Sequence, residues 1–155
     1  MAGEACSAER AGSEDTMNRY LVIANQTIES ALLWAAISDR IAAGPSTFHL
    51  LVPEDHSQGA TWNEGRARVA ARKRLEEGIA HFADRGVDMT GEVDTSPFDG
   101  VSNILVREGP QAFDEIIIST LPVTVSKWLK LDAPSRIQRM TDVPVTHVAA
   151  AMADS

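Results

Sequence analysis

The densest set of groups able to handle an anion lies in STLPVTVSKWLKLDAP (Ser119–Pro134), directly after the apolar run DEIII. Ser119 and Thr120 offer hydroxyls where a strand would end. Ser126, Lys127 and Lys130 add hydroxyl and ammonium donors, and Arg136 could contribute a bidentate guanidinium contact. A second reading makes Lys127 and Lys130 solvated side chains while Trp128 and Leu129 cover apolar surface. No glycine occurs in the segment. A phosphate would therefore have to be held by side chains rather than by a closely approaching backbone.

Other chemistry-bearing groups are more scattered. Arg66, Arg68, Arg72, Lys73 and Arg74 form a basic run. It reads as a charged solvent face balanced by Glu76 and Glu77, or as a surface for an acidic partner. Glu54, Asp55 and His56 could ligate a metal, but three contiguous residues make poor ligand geometry. His49 and His147 fall inside strand-like runs and read as structural; His81 has no ligand partner nearby in sequence. Cys6 is the single cysteine, so no intrachain disulfide forms. No Ser/His/Asp or Cys/His set stands at strand ends, so an enzyme has little support.

The elements that must position these groups alternate in type. Tyr20–Ala24 (YLVIA) is a continuous apolar run, as expected of a strand covered on both faces. Thr27 is placed to cap a helix carrying Trp34, Ile37 and Ile41, which Gly44-Pro45 stops. Thr47–Val52 reads as the second strand. Thr61-x-x-Glu64 is a capping-box pattern for a helix running to about Arg85, with Leu75, Ile79 and Phe82 inward and Gly86 at its end. The alternation Val87, Met89, Val93 suggests a strand nearer a sheet edge. Ser96-Pro97 opens a short helix bearing Val101, Ile104 and Leu105. The run EIIIST, a short helix around Ile137 and Met140, and the strand VPVTHVAA complete the chain.

This βαβαβαβαβ order implies an α/β fold with a mostly parallel, doubly wound sheet. Ligands in such sheets bind beyond the carboxyl ends of the strands, where the strand order reverses. Those ends read Asn25-Gln26-Thr27, Glu54-Asp55-His56, Asp94-Thr95-Ser96 and Ser119-Thr120.

The opening YLVIANQTIESALLWAAISDRIA, together with FDEIIIST and the closing VPVTHVAA, resembles the universal stress proteins. The resemblance runs from Tyr20 to Ala150. It implies a five-stranded parallel sheet of order 3-2-1-4-5 with helices on both faces, Rossmann-like and similar to the adenine-nucleotide hydrolases. It also implies dimerisation through the last strand, at Val143, Val145, His147 and Val148. Family members that bind ATP carry G-x-x-G-x9-G-[ST] after the fourth strand. Here Ser119 and Pro122 stand at the first two glycines, and Asp132 and Ala133 at the final pair. Pro122 removes an amide donor. Asp132, as N-cap of the helix near Pro134, would put a carboxylate where the phosphates sit. Asn25 stands at the family's Asp position at the end of the first strand. No cofactor is therefore expected, and ATP binding in the usual family manner is not.

Within that frame a ligand, if bound, would lie between the first and fourth strands, against Asn25, Gln26, Thr27, Val52, Ser119, Thr120, Ser126, Lys127 and Arg136. A response-regulator receiver is excluded by Asn25-Gln26 and Ala149-Ala150, where acidic residues and a lysine would be needed.

The chain has 155 residues, 44% hydrophobic and 23% charged, as for one soluble domain. Its net charge of -8 argues against a broad nucleic-acid surface. No apolar run is long enough to span a bilayer, and no secretory signal pattern opens the chain. The expectation is a cytoplasmic domain over 19–151, with a disordered acidic tail over 1–18 and a short tail over 152–155. Met17 is an alternative start to Met1. Two functions remain open: a dimeric regulatory or interaction protein, and a sensor binding an anionic small molecule or nucleotide.

Overall fold

The structure, a computed structural model, describes residues 17–25, 27–54, 64–109, 111–120 and 133–149. Among these residues five strands and four helices alternate: β1 (Asn18–Ile23), α1 (Ala31–Ala43), β2 (Ser46–Pro53), α2 (Glu64–Ala83), β3 (Met89–Asp94), α3 (Pro97–Glu108), β4 (Glu115–Thr120), α4 (Ala133–Met140) and β5 (Val145–Ala149). All four strand pairings are parallel, in the order β3-β2-β1-β4-β5. The mostly parallel sheet expected from the alternation, in the 3-2-1-4-5 order that the resemblance implied, is thus present. The strand order reverses between β1 and β4.

Residue alternation explains why the central strands are apolar throughout. Tyr20, Val22 and Ala24 of the first segment, Phe48, Leu50 and Val52 of β2, and Ile117 of β4 face one side. There they pack under Leu33 and Ile37 of α1 and under Ala71, Leu75 and Phe82 of α2. Leu21, Ile23, Leu51, Ile116 and Ile118 face the other side, under α3 and α4. A strand sandwiched between helix layers has no solvent face, so both residue phases must be hydrophobic. Each buried aliphatic side chain contributes about 1.5–3 kcal/mol relative to exposure.

Local signals mostly act where the sequence puts them. Ser96 caps α3 by accepting from Asp99 N at 3.0 Å, with Pro97 in the first turn. Gly86, at φ 81°, closes the turn after α2 in a left-handed conformation that only glycine adopts cheaply. α1 departs from expectation. Its cap is Ser30, whose hydroxyl accepts from Leu33 N at 3.1 Å, because the Thr27 hydroxyl is engaged elsewhere. The buried face also differs from the expected one: Leu33, Ala36 and Ile37 are buried, while Ile41 is 40% exposed. Trp34 lies at the core margin, its indole under the Arg85 guanidinium at 5.1 Å. Met140 is likewise outside the core, unlike Ile137.

The terminal strand is shorter than the apolar run that suggested it. β5 begins at Val145, and Val143 precedes it, buried in the α3/α4-side core. At the other end β1 begins at Asn18, whose amide donates to Pro45 O at 3.0 Å, so the strand reaches into the expected tail boundary. Residues 1–16 of that tail with Cys6, the 152–155 segment and Thr61 of the capping box lie outside the described residues.

Candidate functional site

The switch point between β1 and β4 is where the fold opens a crevice, and the described residues there bind one another. The chain leaving β1 places Asn25 and Thr27 above the sheet, both buried. The end of β4 brings Ser119, fully buried, to the same side as Thr27. Their hydroxyls share a hydrogen bond of 2.6 Å across 92 residues of sequence. Asn25 spans to the neighbouring strand: its Nδ2 donates to Pro53 O at 2.6 Å. Its Oδ1 accepts from Nη1 of Arg74, on α2. Both ends of the amide are used within the fold, which also fixes its orientation.

On the opposite face of β4 the hydroxyl of Thr120 meets His147 Nε2 at 2.8 Å, tying β4 to the edge strand β5. Desolvation holds the His147 imidazole below its ordinary pKa. Val52 is fully buried in the α1/α2-side core, so only its backbone could meet a ligand. Arg136 sits 4.0 Å over the Phe98 ring, a cation–π contact joining α4 to α3. Of the tentative site, the structure brings Asn25, Thr27 and Ser119 together and places Thr120 beside His147. Arg136 is engaged on the α3/α4 side. Gln26, Ser126, Lys127 and the glycine-replacing Pro122 and Asp132 lie outside the described residues.

The expected dimer edge is partly exposed. β5 is the terminal strand of the sheet, with His147 exposed and Val145 and Val148 half-buried against the two cores. Val143 belongs to the interior instead.

Sequence reasoning named two arginines and one glutamate but missed the contacts they make. Glu54, next after β2, has a side chain only 1% exposed, with Arg68 Nη2 2.8 Å from its Oε2. Its backbone N–H donates to Asp94 O at 2.8 Å, extending the β2–β3 ladder. Arg74 thus reaches Asn25 at the carboxyl end of β1, and Arg68, though 48% exposed, reaches Glu54 at the carboxyl end of β2. Beside Arg74 opens a cavity of about 390 Å³ lined by Asn25, Ile28, Glu29, Arg74 and Glu77. It presents one guanidinium, already bonded to Asn25, against two carboxylates. Such a balance suits a ligand of low net charge better than a polyphosphate.

The described histidines make contacts within the fold. His49 on β2 bridges to β3, with Nδ1 2.7 Å from Thr90 Oγ1 and Nε2 3.0 Å from Glu92 Oε1. His81 accepts from Arg85 Nε at 3.3 Å and lies edge-on to Phe82. Among the described residues no group of three or more His, Cys, Asp or Glu is placed to hold a metal. Among them, too, no helix is long and apolar enough to cross a membrane.

No family model matches the sequence, and no curated protein does. A solved structure shares its fold. A universal stress protein from Archaeoglobus fulgidus superposes with a TM-score of 0.54, covering 89% of this chain and 98% of that one at 12% identity. The universal stress protein from Archaeoglobus fulgidus in complex with dAMP gives a TM-score of 0.48 at 14% identity, over 85% and 97% of the two chains. The resemblance drawn from the strand ends and the closing strand holds at the level of fold.

Proposed function

Starting from this universal-stress-protein fold, we propose that the chain is a cytoplasmic, dimeric regulatory protein that does not take ATP in the usual family manner. The observation that carries this reading is the hydrogen bond between Thr27 and Ser119. Two hydroxyls that would face a nucleotide at the switch point are buried and bonded to each other. Asn25 beside them is bonded at both ends, to Pro53 O and to Arg74. A nucleotide entering there would have to break these bonds and re-satisfy each buried group. The sequence supports the same reading, since Ser119, Pro122, Asp132 and Ala133 replace the phosphate-binding glycines and the final Ser/Thr. Self-association through β5 is supported by its position at the sheet edge, where one row of backbone groups has no neighbouring strand among the described residues.

Calorimetric titration with ATP tests the first half of the reading. No saturable heat is expected, and no thermal stabilisation. A ligand at 100 times its dissociation constant would stabilise the fold by about 2.7 kcal/mol, which is readily detected. Light scattering at micromolar concentration tests the second half, with twice the chain mass expected. Saturable ATP binding, or a monomer only, overturns the corresponding half.

A second reading, an anion sensor in the same crevice, is supported by the hydroxyl and ammonium donors that Ser126 and Lys127 supply in the segment after β4. A thermal-shift screen over phosphorylated metabolites distinguishes the two. The sensor requires a shift that Arg74→Ala or Lys127→Ala removes.

A further inference from the structure

At the opposite end of the sheet, the amino ends of β1, β2 and β3 border a second cavity of about 340 Å³. It exists because the α3/α4 face of the sheet changes character along the strands. Leu21, Ile23 and Leu51 are apolar and covered, whereas Arg19, Thr47, His49 and Thr90, in the same alternation phase, are polar. Phe113 is buried at this boundary. The Arg19 guanidinium lies 5.2 Å over its ring, and the His49 ring is 6.5 Å away at 29°.

Most of the charge around the cavity is already matched. Arg107 Nη2 meets Glu92 Oε1 at 2.7 Å, and its Nε meets Glu108 Oε2 at 3.0 Å. His49 uses both ring nitrogens on Thr90 and Glu92. Two lining charges are left. Among the described residues, neither the Arg19 guanidinium nor the Asp88 carboxylate has an ion-pair or hydrogen-bond partner, and the two do not pair with each other. A simple anion drawn to Arg19 would share the cavity with Asp88, and a simple cation drawn to Asp88 would share it with Arg19. A molecule carrying both charges satisfies both walls. The volume lies at the small end of the range for ligand pockets, about 300–1,000 Å³.

We propose that this cavity binds a small zwitterion of the amino-acid type, its carboxylate on Arg19, its ammonium group toward Asp88, and its carbon skeleton against Phe113. The guanidinium fork suits a carboxylate geometrically. The site is separate from the β1/β4 crevice and does not depend on the function proposed for it.

The test is an amide NMR titration of the full chain with each of the protein amino acids, with acetate and methylamine as single-charge controls. Saturable shifts centred on Arg19, His49 and Asp88 are expected for at least one amino acid, with a dissociation constant of about 1 mM or tighter. Neither control should reproduce them. Arg19→Gln and Asp88→Asn should each weaken binding about tenfold, a change of about 1.4 kcal/mol. Absence of saturable shifts with every amino acid overturns the proposal. So does equal binding of acetate or methylamine, or binding that survives both substitutions unchanged.

Discussion

Thr27 and Ser119 are joined at 2.6 Å, hydroxyl to hydroxyl, at the point where the strand order of the sheet reverses. In a doubly wound sheet this is the place left open by topology, since β1 leads to one side and β4 to the other. Here the opening is bridged by the chain's own polar groups. The bond also explains why α1 starts at Ser30: Thr27 is spent on the crossing to β4, so its neighbour three residues on provides the cap.

The bridge makes a specific energetic prediction. Thr27→Val or Ser119→Ala alone leaves one buried hydroxyl without its partner and is expected to cost about 1–3 kcal/mol. The double substitution removes both hydroxyls, so its cost should fall well short of the sum. Urea unfolding of the four proteins gives the coupling directly. Strict additivity would mean that the two hydroxyls do not depend on each other.

Asn25 gives a prediction of opposite electrostatic character. Asn25→Asp keeps the shape but replaces the Nδ2 donor, which faces Pro53 O at 2.6 Å, with an acceptor. Two oxygens then confront each other in a buried site, and the loss at pH 7 should be about 1–3 kcal/mol despite the nearby Arg74. Urea unfolding of the two proteins checks this, and an unchanged stability contradicts the bonding of the Asn25 amide.

The sheet was legible because a strand buried on both faces leaves an unbroken apolar run, as in Tyr20–Ala24 and Ile116–Ile118. The edge position of β3 was legible from its alternation. The roles of Arg68 and Arg74 were not, because a basic run on a helix looks the same whether it meets water or a strand end. A signal was nevertheless present. Ala67, Ala71, Leu75, Gly78 and Phe82 form the buried stripe of α2, and Arg68 and Arg74 flank it closely. Small residues in that stripe bring the helix near the sheet, so flanking long side chains reach the strand ends. Thr27 misled for a different reason: a hydroxyl suited to capping was claimed by a partner 92 residues away, which local spacing cannot reveal.

The same close packing makes Gly91 on β3 irreplaceable by a larger residue. A Cβ there would lie 2.7 Å from Leu50 O and 2.4 Å from Leu75 Cδ1. The leucine can rotate, but the carbonyl belongs to the β2 backbone and cannot yield without disturbing the ladder. Gly91→Ala should destabilise by about 1–3 kcal/mol despite the better strand propensity of alanine. Gly86→Asn, at a left-handed turn with open space around it, is the control and should stay within about 1 kcal/mol of the parent. Chemical denaturation of the pair separates steric from conformational effects, and a neutral Gly91→Ala refutes the close contact with the Leu50 carbonyl.

The acid sensitivity of the fold should centre on Glu115. Burial raises the pKa of this carboxyl, but hydrogen bonds from Arg40 and Thr146 outweigh that effect and hold it below the usual carboxylate range. Arg40 grips both oxygens, at 3.0 and 2.7 Å, and so fixes the amino end of β4 to α1. Because the folded pKa is depressed, the stabilisation is present above the unfolded value and is lost as pH falls through the folded one. Glu115→Gln should therefore destabilise at pH 7, where the partly buried Arg40 loses its counter-charge, by about 1–3 kcal/mol. The parent and the variant should converge as pH is lowered past the carboxylate range, because protonation brings the parent to the same uncharged state. Thermal unfolding of both proteins from pH 7 to pH 3 checks this, and a separation that persists or widens in acid would show that the Arg40–Glu115 pair does not set the pH response.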